Sequence, residues 1–195
     1  MSMLDERFFD SLKKAASAYQ SARQEVIHAA DDTRTASKRA IFAMHRDDLA
    51  KADELLAVAI DGLSRIGATA ETVPQMLDEG SYRSALEEYV EARLYRDFLE
   101  GKSVTAVEIG GAAVPYDVYL GGLSDLVGEL QRRQVKLATA GDLDGVKAIR
   151  DTMEEIIGVM LEMDLTGYLR NKFDQAKNSF RRAEEVLYEL SVRRS

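Results

Sequence analysis

Two acidic spacings carry the chemical interest of this 195-residue sequence: Glu88 with Glu91, three residues apart, and Asp125 with Glu129, four apart. On a helix each pair shares a face. At about 100° per residue, Ala85, Glu88, Glu91, Ala92, Tyr95, Phe98 and Leu99 fall on one arc, which sets two carboxylates inside an apolar stripe. A carboxylate taken out of water needs a cation, hydrogen-bond donors, a metal ion or a proton. Two of them one turn apart repel unless something positive lies between them. Glu87 sits close to the same arc, so periodicity alone leaves the choice of pair open. Asp125 and Glu129 lie beside a packing seam of Leu123, Leu126, Val127, Leu130 and Leu137, and Arg132 and Arg133 extend their polar face by one turn.

If these four carboxylates converge, they form an all-oxygen cluster suited to a hard cation such as Mg²⁺ or Mn²⁺. Two such ions side by side activate water and stabilise a leaving oxygen, the requirement for in-line phosphodiester hydrolysis that leaves a 5′-phosphate and a 3′-hydroxyl. Lys38, Arg39, Arg132 and Arg133 are the bases expected to hold phosphates in that scheme. Two readings oppose it. The glutamates of the stripe are accounted for equally by structural ion pairs with arginines of a neighbouring helix, and Asp125 and Glu129 by a solvated helix face. Other chemistries find little support. Glu25-x-x-His28 occurs once, whereas di-iron bundles use two copies, and His45 stands apart from it. The absence of cysteine removes thiolate metal sites, disulfides and cysteine nucleophiles. No phosphate loop, dinucleotide fingerprint, nucleophile elbow or zinc-protease motif is present, and the aromatic residues sit at core spacing rather than forming a base-stacking platform.

The elements that must carry these residues are helices. Apolar residues recur at helical spacing throughout, and no segment alternates with the period of a half-buried strand, so the fold class is all-α, with six or seven helices bundled in one domain over residues 1–195. The last helix has the most regular seam: Leu169, Phe173, Ala176, Phe180, Ala183, Leu187 and Leu190, on a helix from about Tyr168 to Arg193. A comparable stripe starts at Leu4, Phe8, Leu12, Ala15 and Tyr19. It either continues beyond forty residues or breaks at the capping residues Asp31, Asp32 and Thr33. A second helix is expected from Asp47 and Asp48 to Ile66, stopped by Gly67, and a third from Ser81 to Glu100. Lys102 to Val114 is the longest irregular stretch. Pro115 opens a helix to Ala140, and Asp142 opens another to about Asp164.

The formal charge of −8 speaks at first against nucleic acid, but its distribution reverses the inference. Residues 47–100 hold 13 acids and 5 bases, the whole imbalance, while the remainder is neutral. Thr33 to Arg46 carries Arg34, Lys38, Arg39 and Arg46 without an acid, and Arg170 to Arg182 has five bases against Asp174. The start has acid where a secretion signal needs a basic region, and no apolar run approaches the roughly 20 residues of a membrane span. The expectation is a cytoplasmic protein.

Three segments resemble the translin family, and more closely its translin-associated factor X (TRAX) branch. They are Glu87-Glu88-Tyr89-Val90-Glu91-Ala92; Tyr119-Leu120-Gly121-Gly122-Leu123-Ser124-Asp125 through Glu129-Leu130; and Leu169-Arg170-Asn171-Lys172-Phe173-Asp174 with Val186 through Leu190. The likeness spans most of the chain from the third helix onward. It implies all-α subunits assembled as a hollow octamer that takes RNA or single-stranded DNA inside, and, for this branch, a Mg²⁺-dependent endoribonuclease. On that basis Glu88 and Glu91 match the first acidic pair, and Asp125 and Glu129 the acids of the later helix. Retention of all four is similar to the nuclease branch, in contrast to translin, the non-catalytic relative. The basic N-terminal extension of eukaryotic TRAX proteins is not matched, which points to a prokaryotic homologue and a homo-oligomer without a separate translin partner. The expected substrate is single-stranded RNA. A binding assembly without catalysis is the alternative, and a purely structural oligomer the third.

Overall fold

A computed structural model of the chain describes residues 4–192, and among these six α-helices account for most of the structure. Helix α1 (Glu6–His45) is 40 residues long and starts on Asp5, whose carboxylate accepts from the backbone N–H groups of Arg7 and Phe8. It does not break at residues 31–33. Thr33 is buried, its hydroxyl donating to the Ala59 carbonyl at 3.4 Å, and Asp31 stays on the surface paired with Arg34 at 2.6 Å. Packing against the next helix keeps the cap-like residues in the helical ladder. Asp47, with φ of +61°, reverses the chain, and Asp48 caps α2 (Leu49–Thr72) by accepting from Lys51 N–H.

α2 runs through Gly67 to Thr72 instead of stopping there. A glycine inside a helix costs about 1 kcal/mol relative to alanine, and the burial of Ala70 beyond it against α1 outweighs that cost. After a 3₁₀ turn (Pro74–Asp78) comes α3 (Gly80–Leu99). The irregular stretch holds one departure from an all-helical chain: β1 (Glu108–Ile109) pairs antiparallel with β2 (Ala112–Ala113) around Gly110 and Gly111. Both glycines have positive φ, +59° and +81°, the backbone a two-residue hairpin turn demands. α4 (Tyr116–Ala140) and α5 (Leu143–Leu161) follow, the latter ending three residues before the expected Asp164, and α6 (Gly167–Val192) closes the bundle. Arg193, the expected end of that helix, lies outside the described residues. No helix is long and apolar enough to cross a membrane.

The core lies where α1 to α4 meet and continues under α5 and α6 through Met153, Met160, Phe173 and Ala183. Gln134 ties the last three helices together, its buried amide nitrogen donating to the carbonyls of Val146 and Ala183, each at 3.2 Å. The first seam of α1 behaves differently from expectation: Leu4, Phe8, Leu12 and Tyr19 are exposed, and burial on this helix begins at Ala22.

The approach of α4 to α3 positions the acidic residues. Backbone and side chain of α3 crowd Gly122, where a β-carbon would lie 2.8 Å from the Glu87 carbonyl oxygen and 2.7 Å from Val90 Cγ1. Since backbone cannot yield as a flexible side chain does, Gly122→Ala is expected to lower stability by about 1–3 kcal/mol. Gly128→Ala, six residues along the same helix in open space, is expected to be neutral or to stabilise by about 0.5–1 kcal/mol. Thermal unfolding of the two variants distinguishes a helix contact from a general glycine effect.

Candidate functional site

Four helices bring polar side chains to one place beside the α3–α4 contact. α3 contributes Glu87, Glu88, Glu91 and Tyr95, and α4 contributes Asp125, Glu129 and Arg132; α1 supplies Lys38 and His45, and α6 supplies Tyr168 and Lys172. The i, i+3 and i, i+4 spacings place each acidic pair on one helix face, and Gly122 lets those faces approach.

Glu91 is the centre of the cluster. It is only 8% exposed and, among the described residues, has no hydrogen-bond or ion-pair partner. Burial pushes its pKa up to about 9, and the negative charges of Asp125, Glu88 and Glu129 add to the rise against a weaker pull from Lys172. Glu88 and Asp125 are also raised, chiefly by burial. Glu91 thus feels the charges of Glu88, Asp125 and Glu129 together.

The rim of the cluster is positive. Lys38 Nζ lies 3.6 Å from Glu88 Oε2. Lys172 bridges Glu87, at 2.9 Å, and Asp125, and Tyr168 donates its hydroxyl to Glu87 at 2.5 Å. Burial of Lys172 opposes its charge, but the hydrogen bonds to Asp125 and Glu87 prevail and hold its pKa above the ordinary lysine value. His45 Nε2 bonds Glu129, while His45 Nδ1 faces the Tyr95 hydroxyl at 3.2 Å. Arg132 stands 3.8 Å from Glu129. With these contacts made, no group of three His, Asp or Glu side chains among the described residues is arranged to hold a metal ion. The donor set itself fits a hard divalent cation: a cluster of carboxylate oxygens around one buried, unpartnered carboxylate.

The four bases expected to hold phosphates separate. Lys38 and Arg132 border the carboxylates, and Arg39 is exposed on the next face of α1. Arg133 is committed elsewhere, donating to Asp47 at 2.5 Å beside Lys136, which bonds the same aspartate. The ion pairs that the opposing reading assigns to arginines are made mostly by lysines and a histidine, and Glu91 has none.

Lys172, Tyr168, Tyr95 and His45 complete the site, although the acidic spacings do not point to them. A signal exists for Lys172, which falls three residues after Leu169 and four before Ala176, so a cation sits against the packing seam of α6 just as Glu88 and Glu91 sit in that of α3. His45 shares a face of α1 with Lys38, seven residues earlier. Only the tertiary packing reveals that this face meets Glu129.

Comparison with known proteins identifies the family. The chain is similar to Translin-associated protein X of Mus musculus, 23% identical over 230 aligned residues that cover 96% of this chain and 78% of that protein. Among solved structures, apo-NeC3PO shares 25% identity with a TM-score of 0.83 over 96% of this chain and 98% of that one. AfC3PO shares 23% identity both alone, at a TM-score of 0.86 over 95% of this chain and 98% of that one, and in its complex with duplex RNA, at 0.84 over 95% and 97%. The sequence pattern of the Translin family matches residues 21–194. The chain belongs to the translin family.

Proposed function

We propose that this protein is an RNA-binding translin-type assembly that cleaves single-stranded RNA as a Mg²⁺-dependent endoribonuclease, working as a hollow homo-oligomer, an octamer by the family resemblance. The RNA ligand is supported by the relative that was solved with duplex RNA. The observation that carries the catalytic part is Glu91, a buried carboxylate with no partner facing three others. Natural chains seldom leave a buried acid without a partner unless it serves a function.

Glu88, Glu91, Asp125 and Glu129 are the residues that would hold Mg²⁺ or Mn²⁺. A divalent ion so held supplies a water of lowered pKa and neutralises charge on a phosphodiester. The remaining work belongs to the chain. Glu91 would have to give up its proton to serve as a ligand, which would link metal uptake to proton release. Tyr95 and Glu129 orient the two ring nitrogens of His45, which places Nε2 to hold or accept a proton at the cluster. Lys38 and Arg132 border the carboxylates and position the RNA backbone. Lys172 shields Glu87 and Asp125 from each other, a role a bound divalent cation would share.

That same lysine favours the second reading, a binding assembly without catalysis in which the acids serve only as ion-pair partners. The two separate on direct measurement. Glu91→Gln is expected to abolish Mg²⁺-dependent cleavage of a labelled single-stranded RNA while leaving its binding within about threefold, a change under 1 kcal/mol. Undiminished cleavage by a nuclease-free preparation of that variant overturns the assignment. Lys172→Met removes the competing ammonium and is expected to tighten Mn²⁺ binding, measured by titration calorimetry, by about tenfold. If neither wild type nor the variant takes up Mn²⁺, the passive reading holds.

Glu91 also predicts how metal-free stability depends on pH. The folded protein keeps this proton up to about pH 9, whereas the unfolded chain releases it in the ordinary glutamate range. Its contribution is therefore full below that range and is lost as the pH climbs from there through about 9. Melting temperatures in chelator should fall over this window in wild type. Glu91→Gln should flatten the curve and melt roughly 4 °C higher at pH 8, a shift on the order of 1 kcal/mol or more.

A further inference from the structure

The last two turns of α1 have two working edges. Lys38 and His45 point to the carboxylates, at Glu88 and Glu129. Arg39, Phe42 and Arg46 point about 100° away along the same helix and, with Asp48, Lys51 and Leu55 of the segment that starts α2, line a hollow of about 390 Å³. This falls within the range of clefts that take small ligands, about 300–1,000 Å³.

The contents of the hollow are unusual for a surface. Phe42 is 54% exposed, although its neighbours Ile41, Ala43 and Met44 are buried. The Arg46 guanidinium lies over its ring, 5.8 Å from the centroid. Among the described residues neither Arg39 nor Arg46 has a carboxylate partner, in a chain where acids outnumber bases 34 to 26. Lys51 is held at the rim by Glu54, at 2.7 Å. A half-exposed ring with Arg46 over one face, beside two guanidinium groups that have no carboxylate partner among the described residues, offers the two halves of nucleotide recognition: a surface for a base and donors for a phosphate.

The geometry points to this hollow as a subsite for one unpaired nucleotide, the base stacked on Phe42 and a backbone phosphate held by Arg39 and Arg46. The inference rests on the RNA reading above and sharpens it, because only an unpaired base offers a free face to the ring. Since Lys38 and His45 lie on the same turns of α1, a strand bound here reaches the carboxylates within a few nucleotides. Single-strand preference then comes from Phe42 and not from the acids.

Binding measured in chelator tests this apart from cleavage. The chain contains no tryptophan, so Phe42→Trp introduces a single reporter at the subsite. A labelled oligoadenylate is expected to bind Phe42→Ala about tenfold more weakly than wild type and to bind Phe42→Trp with near-wild-type affinity while quenching its emission. An abasic ribose-phosphate oligomer of equal length is expected to bind both variants alike, without quenching. Equal affinity of wild type and Phe42→Ala for oligoadenylate, or unchanged emission with RNA bound, overturns the subsite and leaves the RNA reading standing. A changed subunit count in Phe42→Ala at equal RNA affinity also overturns it and makes the ring an interface residue. If wild type retains no oligoadenylate at all, the subsite and the broader RNA reading fall together.

Discussion

Like charges gathered out of water around Glu91 set the terms for everything else in this site. Burying one carboxylate is unfavourable, and surrounding it with three more makes its ionisation costlier still. The fold does not relieve this at the centre. It places Lys38, Lys172, His45 and Arg132 around the edge, each on an outer carboxylate, and brings them from α1, α4 and α6. The outcome is a ring of partnered carboxylates around one acid that keeps its proton at neutral pH. Should that acid ionise, it would need a positive charge that no side chain among the described residues places on it, and a divalent cation would supply one.

The strength of that demand depends on how closely two helices approach. Coulomb energy varies inversely with separation, and the separation of the acidic faces follows from the contact of α3 with α4 at Gly122. A glycine within a helix gives up stability through backbone entropy, so its place here exchanges helix propensity for proximity. The length of α1 has a similar role. Were it broken at Asp31 to Thr33, the segment carrying Lys38 and His45 would no longer be held by the packing of Val26, Ala29 and Ala30 further along the same rod. The buried Thr33 hydroxyl on the Ala59 carbonyl keeps that rod continuous and α2 close.

Local periodicity makes much of this legible in the order of residues alone. The seams of α3, α4 and α6 appear in the sequence because amphipathic helices must show one face to the core, and acids embedded in such a seam stand out for the same reason. Gly67 and residues 31–33 mislead because their local preference is for an end, whereas the burial of Ala70 and Thr33 decides for continuation. The apolar stripe of Leu4, Phe8 and Leu12 is legible as a seam, but a seam says nothing of what covers it, and these three side chains are exposed. The long-range pairings of the acids are not legible, even where the partner itself stands out in its own helix. Lys172 lies 47 residues from Asp125 and His45 lies 84 from Glu129, and such pairings follow from helix order and crossing geometry, which no short window of sequence contains.

The net charge is the remaining tension, since a chain at −8 should repel a polyanion. Its resolution is that a phosphate responds to nearby charges rather than to the total. At physiological salt the electrostatic reach is about 8 Å. Part of that excess is paired with bases from outside residues 47–100: Asp47 with Arg133 and Lys136, Glu79 with Arg23 at 3.1 Å, Glu87 with Lys172 at 2.9 Å and Glu88 with Lys38 at 3.6 Å. Along α1, Arg39 and Arg46 stay unpaired beside an exposed ring, and Lys38 reaches the carboxylates. The strand of a nucleic acid would then meet the basic edge of α1 and not the summed charge of the chain. Global charge then works against indiscriminate adhesion of polyanions, and the local pattern selects the one track along which such a ligand is tolerated.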